Sequence, residues 1–271
     1  MKARIFVFSV LLLAGGILFQ DCSTVEITGR KQLNLIPESE MIGMSLTQYD
    51  DFLKAHQLST DREATAMVKR VGERIAAAVE EYFREKGMAD RLKNYKWEFN
   101  LVESPEVNAW CMPGGKVVVY TGLLPVAKDE AGLAVVMGHE IAHAIARHGN
   151  ERMSQQLMAQ LGGMALAEAL KSKPQETQQL WMTAFGVGAQ YGVLLPYSRL
   201  QESEADHLGL IFMAMAGYDP HVALRFWEQM AAAGGEKPPE IMSTHPSDET
   251  RIANIKKLLP EVTKKYYRPH E

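Results

Sequence analysis

Two cysteines in 271 residues, Cys22 and Cys111, rule out a fold held by a disulfide framework. Positive charge is also short: 29 Lys and Arg face 33 Asp and Glu, for a net charge of -4 and a pI near 6.1. No basic surface for phosphates follows from that balance, so no nucleic-acid partner is expected. Beyond residue 21 no apolar run reads as a transmembrane helix, which excludes a multi-span membrane protein. Internal repeats and long low-complexity linkers are missing, so solenoid and fibrous classes fall away. What is present is an ordinary globular body, 46% hydrophobic and 23% charged, large enough to bury a core.

The apolar residues are concentrated at the N-terminus. Lys2 and Arg4 precede Ile5 to Phe19, which is uncharged, mostly apolar and shorter than the roughly 20 residues of a spanning helix. Residues 1–21 read as a signal peptide. Cys22 follows directly and resembles the lipidation site of a bacterial lipoprotein, although Asp21 stands where that signal normally has a small residue. An uncleaved anchor is the rival reading. In both, the body is exported and tethered to a membrane at the periplasmic face of a cell envelope.

Residues 22–36 read as an extended tether with a turn at Thr28-Gly29-Arg30. Helical spacing runs from Pro37 to about His56 and from Asp61 to Lys86, where Val68, Val71, Ile75 and Val79 recur at three and four and Gly87 stops the helix. Tyr95 to Val102 alternates as a strand. Val107–Met112, the turn Pro113-Gly114-Gly115 and Lys116–Thr121 form a β-hairpin. The rest is helical, over about 129–148, 151–170, 176–193, 199–216, 220–233 and 248–259. The expected fold is α+β and mostly helical, with a small sheet, in a single domain over 37–262 followed by a solvated tail at 263–271.

His139-Glu140-Ile141-Ala142-His143 lies inside one of these helices, which Gly149 is expected to end. Histidines four apart project from one face, so both imidazoles can reach one Zn²⁺. Glu140, offset by one residue, can reach a water at that ion without ligating it. A catalytic zinc needs a third ligand and an open fourth position. Glu202 and Asp206, four apart on a later helix, share a face: Glu202 can ligate while Asp206 accepts the N–H of a ligand histidine. Glu204 is turned to the far side of that helix.

These segments, together with Thr244-His245-Pro246-Ser247, Arg251, Asn108-Ala109-Trp110 and Pro113-Gly114-Gly115, resemble the family-48 metallopeptidases. Those are zincin-like gluzincins that include HtpX, the CAAX prenyl proteases and the Oma-type proteases. With no membrane helices in its body, the chain resembles the bacterial LoiP- and YcaL-like lipoprotein branch. The resemblance implies one zinc per chain, held by His139, His143 and Glu202, with catalytic Glu140. It supports His245 as a donor to the tetrahedral oxyanion. Arg251 is expected to orient the His245 loop.

Substrate is expected along a sheet edge made by Lys116 to Tyr120, as an added strand, with Asn108, Ala109, Gly114 and Val118 in contact. Backbone recognition of that kind suits unfolded or misfolded envelope proteins. The resulting expectation is a zinc endopeptidase of protein quality control. The alternatives are a latent envelope lipoprotein that binds clients without cleaving them, and a zinc hydrolase of non-peptide bonds. Cys111 reads as a small buried hydrophobe near the cleft, and Phe185 to Leu195 as a buried or cleft-covering helix.

Overall fold

The computed structural model describes residues 22–25, 28–190, 194–233 and 249–269. They form two compact units. The first joins the N-terminal residues up to Pro37 with His148–Tyr197; the second joins Glu38–Arg147 with the chain from Ser198 onward.

In the first unit, β1 (Cys22–Thr24) and β2 (Lys31–Leu33) pair antiparallel around a turn at Gly29, whose φ is 72°. The expected extended tether is therefore a hairpin. It is locked to α5 (His148–Leu170): the Arg30 guanidinium donates to both Glu151 carboxylate oxygens at 2.6 and 2.7 Å, and the Leu35 N–H donates to Ser154 Oγ at 2.9 Å. Helix α6 (Gln175–Ala189) follows. It contains no buried residue, so the expectation of a buried helix from Phe185 fails there; 191–193 lie outside the described residues.

The second unit opens with α1 (Glu38–Ala55) and α2 (Arg62–Glu85). Asp61 caps α2 by accepting the Ala64 N–H at 3.0 Å, and the helix buries the stripe Val68, Val71, Ile75, Val79. The sheet comprises β3 (Glu98–Val102), β4 (Ala109–Met112) and β5 (Lys116–Tyr120) in the order β3-β5-β4. β5 is parallel to β3 and antiparallel to β4, so it is the central strand and all five of its residues are buried. A parallel pair needs a crossover, and β4 with its turn supplies a short one by inserting beside β5.

A short helix, α3 (Leu124–Ala127), leads into α4 (Glu130–Ile145), capped by Asp129 accepting the Gly132 N–H at 2.8 Å. From Gly132 onward every residue of α4 is buried. The helix stops at Ile145, earlier than expected, and Gly149 lies in the first turn of α5 instead. Arg147 makes the turn with φ 59°, and its side chain is held by the Glu38 carboxylate. α7 (Leu195–Met215), α8 (His221–Ala233) and α9 (Glu249–Tyr266) complete the described helices.

α9 runs through Pro260 to Tyr266, so Lys264 and Lys265, though exposed as expected, belong to its last turn rather than to a tail. Pro260 removes one N–H, but Lys256, whose carbonyl loses that donor, is exposed to water. Leu259 and Val262 are buried on either side and carry the helix onward. Beyond it Arg268 pairs with Glu81 and Glu85 of α2 at 2.6 and 3.1 Å.

Candidate metal centre

The site lies wholly in the second unit, where α4 crosses α7. Two glycines set the crossing. A Cβ on Gly138 would meet the Gly209 carbonyl oxygen at 3.1 Å, and one on Gly209 would meet the His139 backbone nitrogen at 3.0 Å. Backbone therefore rests on backbone, and side chains flanking the crossing meet at short range. Glu202, Asp206 and Gly209 stand at i, i+4 and i+7 on α7, one face of the helix.

His139, His143 and Glu202 converge, with donor atoms that all lie within 4.8 Å of one another. The two Nε2 atoms are 3.0 Å apart, and the Glu202 oxygens are 3.3 Å from His139 Nε2 and 3.4 Å from His143 Nε2. Two imidazole nitrogens and a carboxylate, all buried, facing one point are the donor set of a zinc site. The second nitrogen of His139, Nδ1, meets Asp206 Oδ1 at 3.0 Å, which directs Nε2 at the convergence point.

Arg251 of α9 donates to both oxygens of Asp206, at 2.8 and 2.6 Å, and its guanidinium lies 3.5 Å over the Trp227 ring of α8. The Trp227 ring also meets His139 edge-on at 5.7 Å. Arg251 thus binds Asp206; the loop that it was expected to orient lies outside the described residues. Burial alone would raise the Asp206 pKa, but the Arg251 charge and the His139 contact hold it below the usual carboxylate value. For His139, burial and the Arg251 charge oppose protonation, yet Asp206 and Glu202 outweigh them and hold its pKa up to about 9.

Glu140 is buried in α4 next to the histidines. Cys111 of β4 is within its electrostatic reach: burial pushes the thiol pKa well up, and the Glu140 charge adds to the shift. β4 therefore runs beside Glu140. Glu204 is buried on α7 as well, so no solvated acidic face exists there.

One expectation needs correction. Val118 lies in β5, which is bonded on both sides, so Lys116 to Tyr120 offers no edge to a substrate. The edge on this side is β4. Asn108 accepts from the Tyr120 N–H and Met112 from the Gly115 N–H, both at 3.1 Å. By alternation, the backbone of Ala109 and Cys111 turns outward. The Asn108 side chain accepts the Ala109 N–H at 2.9 Å. Gly114 shapes the hairpin turn with φ 91° and packs on Ile42. His245 lies outside the described residues, as does the Cys22 side chain.

Two contributors escaped the sequence reading. Gly209 carried a signal, its i+7 spacing from Glu202; Trp227 carried none.

Residues 65–259 match Peptidase family M48. The mitochondrial metalloendopeptidase OMA1 of Schizosaccharomyces pombe is 34% identical over 262 residues, 94% of this chain and 72% of that protein. The human metalloendopeptidase OMA1 is 30% identical over 254 residues, covering 91% of this chain and 47% of its own length. The β-barrel assembly-enhancing protease of Escherichia coli is 32% identical over 169 residues, covering 59% of this chain and 34% of its own. The chain thus spans less than half the length of the last two relatives. With most of its length matched and its donor set suited to zinc, the chain belongs to peptidase family M48, a family of zinc-dependent hydrolases of peptide bonds.

Proposed function

We propose that the chain is a membrane-tethered zinc endopeptidase of a bacterial cell envelope that cuts unfolded or misfolded proteins. The observation that carries the chemistry is the convergence of His139, His143 and Glu202 beside buried Glu140. His139, His143 and Glu202 would hold the ion; when bound, zinc supplies Lewis acidity, lowering the pKa of a water to about 7 and polarising the scissile carbonyl.

Glu140 takes the proton of the attacking water and passes it to the departing amine, which makes it general base and then general acid. Its neighbour Cys111 stays a neutral thiol and does not compete for that proton. Asp206 fixes the His139 ring, and Arg251 holds the Asp206 carboxylate in place. His245, from the segment before α9, is the second donor to the developing oxyanion.

The outward carbonyl of Ala109, whose N–H is held by the Asn108 side chain, and the outward backbone of Cys111 offer hydrogen bonds to an extended peptide, which aligns it past Glu140 whatever its side chains. That recognition favours unfolded clients. Tethering is supported by the apolar N-terminal run, Ile5 to Phe19, that shortly precedes Cys22. The envelope reading is supported by likeness to a bacterial protease named for β-barrel assembly.

Zinc-loaded protein is expected to cut unfolded casein, and Glu140→Gln to abolish cleavage with zinc content unchanged by elemental analysis. Equal cleavage by the variant sinks the mechanism. A zinc-loaded wild type silent against every unfolded substrate favours the client-binding lipoprotein instead.

A further inference from the structure

The first unit presents an apolar surface that the described chain leaves uncovered. On α5, Met153, Leu157, Leu161 and Met164 follow one another at four, four and three residues, a single stripe. Their exposure runs from 40% at Met153 to 69% at Met164, and burial along α5 stops at Gln155. On α6, Leu180, Trp181 and Val187 are more than half exposed. Phe185 seals the two helices together: a Cβ on Gly162 would lie 3.1 Å from its ring.

Charge is confined to the ends of both helices: Glu151, Arg152 and Glu168 on α5, and Glu176 on α6. No charged residue occurs from Met153 to Ala167, or from Thr177 to Ser198. A helix that faces water carries charge on its outer side. Contiguous exposed apolar area marks an interaction site instead.

We infer that α5 and α6 lie in the surface of a lipid bilayer of neutral headgroups. This rests on the membrane tethering proposed above. The same unit receives the chain from the apolar N-terminal run: β1 begins at Cys22, and its hairpin is fixed to α5 by the Arg30–Glu151 pair and by Asn150 Nδ2 donating to the Ile36 carbonyl at 2.6 Å. The tether and the apolar stripe therefore belong to one compact body. Trp181 beside Leu180 is suited to the headgroup boundary, where an indole buries its ring and keeps its N–H hydrated.

A cavity of about 530 Å³ between β2, α5 and α6 is lined by Leu33, Met158, Ala159 and Phe185 together with Lys31, Glu151 and Gln155, and its apolar part gives an acyl chain room to enter. No helix among the described residues is long and apolar enough to cross a membrane, so the pair lies on the bilayer rather than through it.

The test uses the full chain with phosphatidylcholine vesicles carrying brominated acyl chains, which quench tryptophan at the lipid boundary. Vesicle flotation and strong quenching are expected. Trp181→Phe should float equally and lose more than half of the quenched signal. Leu161→Glu with Leu180→Glu, both at exposed positions, should keep the circular dichroism and casein cleavage of the wild type while quenching falls. A floating chain whose quenching is unchanged by Trp181→Phe overturns the inference and leaves the tether standing. A chain that does not float overturns both. If the chain self-associates without lipid, protects the α5 and α6 amides from exchange and stays unquenched with vesicles, a second copy covers this face and the inference is overturned.

Discussion

Arg251 grips Asp206 with two hydrogen bonds while its guanidinium lies over the ring of Trp227. Neither partner is a zinc ligand, yet Asp206 holds His139, so the pair determines where one ligand nitrogen points. Both side chains are about 5% exposed, and a buried pair with one member removed leaves an uncompensated charge. Arg251→Met should lower unfolding free energy in urea by about 3–5 kcal/mol. Arg251→Lys should recover little, because a point charge cannot reproduce the planar fork or the contact over the Trp227 ring. A loss below about 1 kcal/mol for Arg251→Met would show that the pair contributes only as much as a surface one.

The His139–Asp206 contact carries a separate prediction on the metal. Asp206→Asn should weaken zinc affinity by roughly 10–100-fold, read by competition with a chromogenic chelator. Glu202→Ala should weaken it further. A strong chelator should abolish casein cleavage by the wild type, and added zinc should restore it.

The glycine crossing is testable by a matched pair of alanines. Gly209→Ala places a methyl against the backbone of Gly138 and His139, so α4 and α7 must part. The overpacking should cost about 1–3 kcal/mol and lower zinc affinity with it. Gly43→Ala in α1, where an added Cβ meets nothing within 4 Å, should be neutral or stabilising by up to about 1 kcal/mol. Equal effects at both sites would mean that the crossing is not tight.

His207, on α7, gives a pH signature away from the metal. Burial pushes its pKa below 6.5, with Lys265 adding to the shift and Glu261 opposing it. The unfolded chain then binds the proton more readily than the folded one. Stability should be full above pH 6.5 and fall as the pH drops below it, levelling once the folded pKa is passed. His207→Gln should flatten that part of the profile in urea titrations at a series of pH values. An unchanged slope would exclude His207 as its source.

Much of the centre was legible because it obeys helical spacing. His139 and His143 at four, and Glu202 and Asp206 at four, need only the pitch of a helix to be placed on common faces. Strand order is a different kind of information. Alternation marks β5 as a strand but says nothing about which neighbours flank it, so Val118 was placed on an edge that β3 and β4 both cover. The end of α4 escaped for a related reason: Arg147 adopts a left-handed turn because of its pairing with distant Glu38, whereas local composition points to Gly149. The segment from Phe185 reads as internal because it is apolar, yet apolar sequence is shared by cores and by surfaces that meet something other than water.

The glycine contact between α4 and α7 has a consequence for how the gene can change. His143 and Glu202 are presented by two helices whose meeting depends on Gly138 and Gly209, and the chain between them belongs to another compact unit. Lengthening a connection between fixed ends adds only about 0.6 kcal/mol of closure entropy per doubling. The exposed turn between α5 and α6, residues 171–174, is thus a tolerant insertion point. Residues can be added, removed or exchanged there, giving the enzyme a new attachment or a new place of work, while the ligand set is inherited intact.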